Sequence, residues 1–151
     1  MFGVFLSSSA SEQIGGGMIW SGLSSFADTG LLAIRLVFGC MFVYYGWPKL
    51  FGGPVSWEGV GQAIGAVGIR FGFVFWGFVA AATMVLGGIC VLTGFMFRPA
   101  CLFLFFVMVV ATAMHFRQGD GLKIASHAIE DGIVFLGLMF IGPGRYALGY
   151  F

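Results

Sequence analysis

His115–Gly132, HFRQGDGLKIASHAIEDG, gathers both histidines of the chain, three of its six acids, and the bases Arg117 and Lys123. Long apolar runs flank it on either side. Only 9% of all residues are charged, so this concentration needs a cause. A short loop joining two membrane helices must be polar, and that accounts for the residues up to Lys123. It does not account for His127, Glu130 and Asp131, which fall inside the next helix. Charge within a membrane helix is costly enough to mark a functional candidate.

The composition leaves one class open. With 151 residues, 60% of them hydrophobic, and a mean hydropathy of +1.02, the chain has too little polar surface for a soluble domain. Its apolar runs are long enough to cross a bilayer, so an integral membrane protein is expected. A net charge of +1 offers no basic face for nucleic acid. Cys40, Cys90 and Cys101 sit within apolar runs and form no CxxC pair. That argues against a disulfide framework, a zinc site or thiol exchange, and predicts small buried apolar residues.

Four spans follow in order, at about 31–50, 71–97, 100–116 and 126–141. They make residues 31–148 a single all-α membrane domain, a four-helix bundle with a short interfacial helix between spans one and two. Met1–Gly30, rich in Ser and Gly, reads as a flexible or interfacial tail. Its opening MFGVFL is too short for a signal-peptide core, and Ile19 and Trp20 are placed at the headgroups. In span one Arg35 is expected to snorkel outward, Tyr44, Tyr45 and Trp47 to form an aromatic belt, and Pro48 to end or kink the helix near Gly46. Gly52, Gly53 and Pro54 then break the chain, and Ser56 is placed as the cap of a short helix running to about Val67. Gly87 and Gly88 permit close helix contact in span two, which Arg98–Pro99 is expected to close. Span four stops at Gly142–Pro143–Gly144, and residues 149–151 are a tail.

An even number of spans puts both termini on one side. Lys49, Glu58, Arg70, His115, Arg117, Asp120, Lys123, His127, Glu130 and Asp131 then gather at the other, and the protein is polar at one end. Three Lys/Arg on the terminal side against four on the polar side do not fix the orientation.

On span four His127 faces Glu130 at i+3 and Asp131 at i+4, which suits a proton relay. The plainer reading is that these groups solvate the first turn, where acids also suit the helix dipole. His115 lies across the turn from span four, but without HxxH or ExxH spacing no metal site is expected. A hydrogen bond from His115 or His127 to a quinone carbonyl or a lipid headgroup asks less of the geometry. Lys49 and Arg70 are expected to anchor to lipid phosphates, to form a positive rim for an anionic substrate, or to pair with Glu130; Arg117 and Asp131 are further candidate binding residues. Thr83 in span two is explained by a bond to its own helix backbone.

The run IRLVFGCMFVYYGWPKLFGG (Ile34–Gly53) resembles the opening helix of the DoxX family of small bacterial membrane proteins. GGICVLTGFMFRPA (Gly87–Ala100), VVATAMHFRQG (Val109–Gly119) and GPGRYAL (Gly142–Leu148) agree with it in order and spacing. The resemblance implies a four-helix bacterial inner-membrane protein with cytoplasmic termini, related to subunits of membrane redox systems such as the thiosulfate:quinone oxidoreductase. Arg35, Lys49, His115, Glu130 and Arg145 match the family pattern. Members often carry an acid three residues before the Gly-Gly pair, where this chain has Met84, and a closing acid where it has Gly149.

Two functions follow. One is an accessory subunit of a quinone-linked redox assembly, seated in the lipid bilayer among other membrane subunits or further copies of itself. The other is a stand-alone protein that handles a quinone or small anion through His115, His127 and Glu130. The sequence has no haem-attachment motif, iron–sulfur cysteine set or dinucleotide fingerprint, so no cofactor of its own is expected beyond a quinone. A transporter ranks third, since four short helices leave little room for a pathway.

Overall fold

The computed structural model describes residues 26–148. The tail readings for Met1–Ser25, with Ile19 and Trp20, and for Gly149–Phe151 lie outside the described residues. Helix α1 spans Ala27–Phe51, α2 Gly53–Gly61, α3 Phe73–Thr93, α4 Phe97–Gln118 and α5 Gly121–Ile141, with a 3₁₀ segment at Gln62–Val67 between α2 and α3. All four long helices are apolar and long enough to cross a membrane. The protein is an all-α membrane bundle.

Two prolines behave differently from the expectation. Helix α1 continues through Pro48 to Phe51. Span two ends at Thr93, where Gly94 takes the left-handed conformation and turns the chain. Arg98–Pro99 instead belongs to the first turn of α4. The first amides of a helix have no intrahelical acceptor, so a proline there gives up nothing and opens the helix rather than closing its predecessor. Pro54 does the same for α2, which starts at Gly53 and leaves Ser56 inside the helix. Helix α5 begins at Gly121, so His127–Asp131 lie well within it.

Helices α1 and α3 pair along their length, as do α4 and α5, and α3 meets α4 between them. Glycine fixes the first crossing. A Cβ on Gly39 would lie 2.8 Å from the Gly88 carbonyl oxygen, and one on Gly88 2.9 Å from that of Gly39. The inward stripe of α1 is Leu31, Arg35, Gly39, Phe42 and Gly46, one residue per turn. Cys40 stands one step off that stripe and is exposed, contrary to the buried role expected of it. Cys101 is buried and Cys90 half-buried. The core centres on Phe135, which the rings of Phe38 and Phe42 meet edge-on at 5.9 and 4.7 Å.

At the terminal end Arg35 does not snorkel. It is 1% exposed, with its guanidinium turned into the bundle. Nε donates to the Val91 carbonyl at 3.0 Å, Nη2 to that of Leu92 at 3.0 Å, and Nη1 to that of Pro143 at 2.7 Å. The Phe97 ring lies 5.6 Å from the guanidinium carbon. The last carbonyls of α3 lack helical partners and carry the negative end of its dipole, so they receive the cation inside the bundle. The closing segment is stitched on by Leu148 N–H to Thr93 O (2.9 Å) and Arg145 N–H to Asp28 Oδ1 (3.1 Å).

Candidate functional site

The opposite end is open. A cavity of about 600 Å3 lies between the last turn of α1, the α2–3₁₀ segment, α3 and α4. Its wall is built by a close backbone approach. A Cβ on Gly77 would lie 1.6 Å from the Trp57 carbonyl oxygen, and one on Gly61 1.8 Å from that of Phe73. Only two glycines let α2 lie flat on the start of α3. The Trp57 indole donates to the Leu50 carbonyl at 3.0 Å, joining α2 to the end of α1. From the other side Arg117 donates to the Gly65 carbonyl and ties the 3₁₀ segment to α4.

Along α4 the lining runs from Phe103 to His115, about 18 Å at 1.5 Å per residue. Phe103 and Phe106 are exposed on the bundle's outer surface. Trp76, Ala80 and Thr83 line it from α3. The cavity is thus a long, mainly apolar slot, open towards lipid, with its ionisable groups at the headgroup end.

The ionisable groups are Lys49 and His115, while the Thr83 hydroxyl lines the slot further in. Gly119 caps α4 in the left-handed conformation and bends the chain back, so the Asp120 amide bonds the His115 carbonyl at 3.2 Å. The same bend brings the Asp120 carboxylate to 2.8 Å from His115 Nδ1. With that carboxylate ionised, Nδ1 carries the donated proton and Nε2 is left for a ligand. Lys49 is half-buried, and its Nζ lies 3.8 Å from Met84 Sδ. Met84 occupies the place where the family resemblance leads one to expect an acid, so the residue that differs is the one that touches Lys49.

A second cleft of about 390 Å3, lined by Arg70 and Arg117, shares Gly59 and Met114 with the cavity. Lys49, His115, Arg70 and Arg117 therefore collect around two adjoining openings. His127, Glu130 and Asp131 line neither. They sit on α5, which packs chiefly on α4, with His127 and Glu130 exposed and Asp131 half-buried. Sequence reasoning missed Asp120 as the partner of His115. The signal was Gly119, a helix stop that returns the next side chain to the last turn. It also missed Trp76 and Ala80 as cavity wall, for which no local pattern exists.

No curated protein and no solved structure matches the chain. The DoxX family model matches residues 30–117. That stretch takes in the buried Arg35, the Lys49–Met84 contact and His115. The chain is a multi-pass membrane protein and belongs to the DoxX family.

Proposed function

We propose that this protein is the membrane subunit of a quinone-linked redox assembly, and that the slot between Lys49 and His115 takes the quinone. The observation that carries the reading is the slot itself. Its about 600 Å3 falls within the range of small-molecule sites. It is apolar along its length and opens towards lipid beside Phe103 and Phe106. A flat ring with polar oxygens at one end and a long apolar tail fits that distribution.

A quinone, when bound, supplies two-electron, two-proton chemistry. The chain's own residues bind, orient and handle protons. Neutral His115 accepts a hydroxyl proton at Nε2, and Asp120 stabilises the resulting imidazolium through Nδ1–H. Once protonated, the same ring donates to a carbonyl. Lys49 holds positive charge at the headgroup end, and Arg70 and Arg117 extend it at the neighbouring cleft. The sequence lacks haem and iron–sulfur ligand patterns, so this reading puts the electron carrier on another chain. It takes the site as periplasmic in a bacterial inner membrane, in keeping with the termini the family resemblance implies.

The test is binding to the full chain in lipid nanodiscs, read by quenching of tryptophan fluorescence on titration with a short-tailed ubiquinone. Ala80→Phe, which fills the slot, is expected to abolish the saturable component. His115→Ala is expected to weaken it by about tenfold, the loss of one good hydrogen bond. Unchanged binding in both variants sinks the proposal. The Arg70–Arg117 cleft favours a second reading, a stand-alone protein that handles a small anion. Anion binding lost in Arg70→Ala, with no quinone binding in the parent, would select it.

A further inference from the structure

The charged face of α5 is left without a use by the slot. Lys123, His127, Glu130, Val134, Gly137 and Ile141 follow one another at helical spacing on one side of α5, and all but the half-buried Val134 are exposed. The buried side, Ala125, Ala128, Gly132 and Phe135, is turned to the bundle. Glu130 lies about 14 Å along the axis from Gly121 and about 17 Å from Ile141, at 1.5 Å per residue. It is therefore an outward-facing carboxyl near the bilayer midplane. A charge at the centre of a membrane helix is costly unless it is paired. Near the helix ends Lys123 can reach the interface, but Glu130 is too deep for that.

We infer that this face of α5 is the interface between two copies of the chain, with His127 of each copy bonded to Glu130 of the other. Charge complementarity selects the occupant. The face carries an imidazole and a carboxyl within one turn, so it is complementary to itself under a two-fold axis along the membrane normal. Such an axis holds both copies at the same depth. The two groups differ in depth by about 4.5 Å, a gap their side chains span. The pairing then occurs twice and removes both carboxyls from lipid. Gly137 lies further along the same face, where an added Cβ would meet nothing in its own chain. It lets two backbones approach closely, as small residues do between membrane helices. Helix α5 packs chiefly on α4, and Phe135 on its buried side meets Phe38 and Phe42 of α1, so among the described residues its opposite side is left for such a neighbour.

The test is disulfide cross-linking of the full chain in its native membranes, with Cys40, Cys90 and Cys101 replaced by alanine. Gly137→Cys is expected to give a band of twice the chain mass under mild oxidation, identified as homodimer by mass spectrometry. Val37→Cys, exposed on α1, is expected to give none. Glu130→Leu and His127→Leu should each lower the Gly137→Cys band at least about fivefold, and the exchange His127→Glu with Glu130→His should restore it. Native mass spectrometry of the unsubstituted chain gives its stoichiometry without any variant. A monomer there, equal cross-linking at Val37, or a different protein in the Gly137 band overturns the inference. None of these readouts depends on quinone binding, so the two proposals fail separately.

Discussion

Arg35 and Lys49 stand on one helix, fourteen residues apart, and the bundle treats them in opposite ways. Arg35 is sealed. Three backbone carbonyls from two separate segments meet its fork, one at each nitrogen, and at 1% exposure the group is closed to a ligand. Lys49 is half-buried beside a cavity, against a thioether that makes only a weak acceptor. A cation bonded at every nitrogen by its own chain is a fastener, whereas a cation short of partners among the described residues is available to something else. Charge in a membrane helix marks a candidate in both cases, and only the inventory of partners separates the two roles.

The largest effect is expected at Arg35. Arg35→Ala removes a buried charge and orphans the carbonyls of Val91, Leu92 and Pro143, for an expected loss of about 3–5 kcal/mol. Unfolding in mixed micelles with increasing dodecyl sulfate measures it. Arg35→Lys keeps the charge but not the three-way fork, so it should recover less than half of the loss. If Arg35→Ala unfolds like the parent, the fastener reading is broken.

Next comes the wall of the open end. Gly77→Ala puts a methyl where the Trp57 carbonyl oxygen already lies, so α2 must lift from α3. A forced separation of this kind costs about 1–3 kcal/mol. It should also widen the slot and weaken quinone binding. A variant that loses stability but binds as before would detach the slot's shape from the Gly61–Gly77 contact.

These two sites show which parts of the fold the sequence carries. The first three spans are legible as long apolar runs, and the polar end as the side that span parity gives to Lys49, Arg70, His115 and Arg117. The start of the fourth is blurred, since α5 begins at Gly121 and holds His127, Glu130 and Asp131 well inside it. The Gly87–Gly88 contact is visible too, as small residues in an apolar run have few other uses. The destination of Arg35 is not legible. The carbonyls it binds belong to residues 56, 57 and 108 positions away, and any residue supplies a carbonyl. Gly61–Gly77 is hidden for the same reason, since the pair becomes meaningful only once α2 folds back. Proline misled at Pro99 because its local rule depends on where a helix starts, and apolar runs blur that point; at Pro48 the helix runs on for one more turn to Phe51.

A smaller effect is expected at the His115–Asp120 pair. Asp120→Asn keeps the shape but removes the charge that stabilises an imidazolium. Both side chains are about a quarter to a third exposed, so the stability change should stay within about 1 kcal/mol. Quinone binding should weaken about threefold to tenfold. Nuclear magnetic resonance of the His115 ring nitrogens checks the cause, as the favoured tautomer is expected to be lost. An unchanged tautomer with weaker binding would make Asp120 a mere neighbour.

The smallest stability effect, and the sharpest use of the comparison, lies at Met84. If Lys49 is held short of partners for a ligand, giving it one should turn it into a second fastener. Met84→Glu places a carboxylate beside Nζ, where the thioether now stands. Desolvation and attraction nearly cancel in a buried ion pair, so stability should move by no more than about 1 kcal/mol in either direction. Ligand binding should respond far more, because the charge Lys49 offers the slot is then neutralised from within. Lys49→Met removes the charge outright and should match Met84→Glu in binding, while the double variant Lys49→Met with Met84→Glu leaves an unpaired buried acid and should be the least stable of the set. Equal binding in the parent and in Met84→Glu would mean that Lys49 serves the headgroups alone, and the two ends of α1 would then differ in packing but not in purpose.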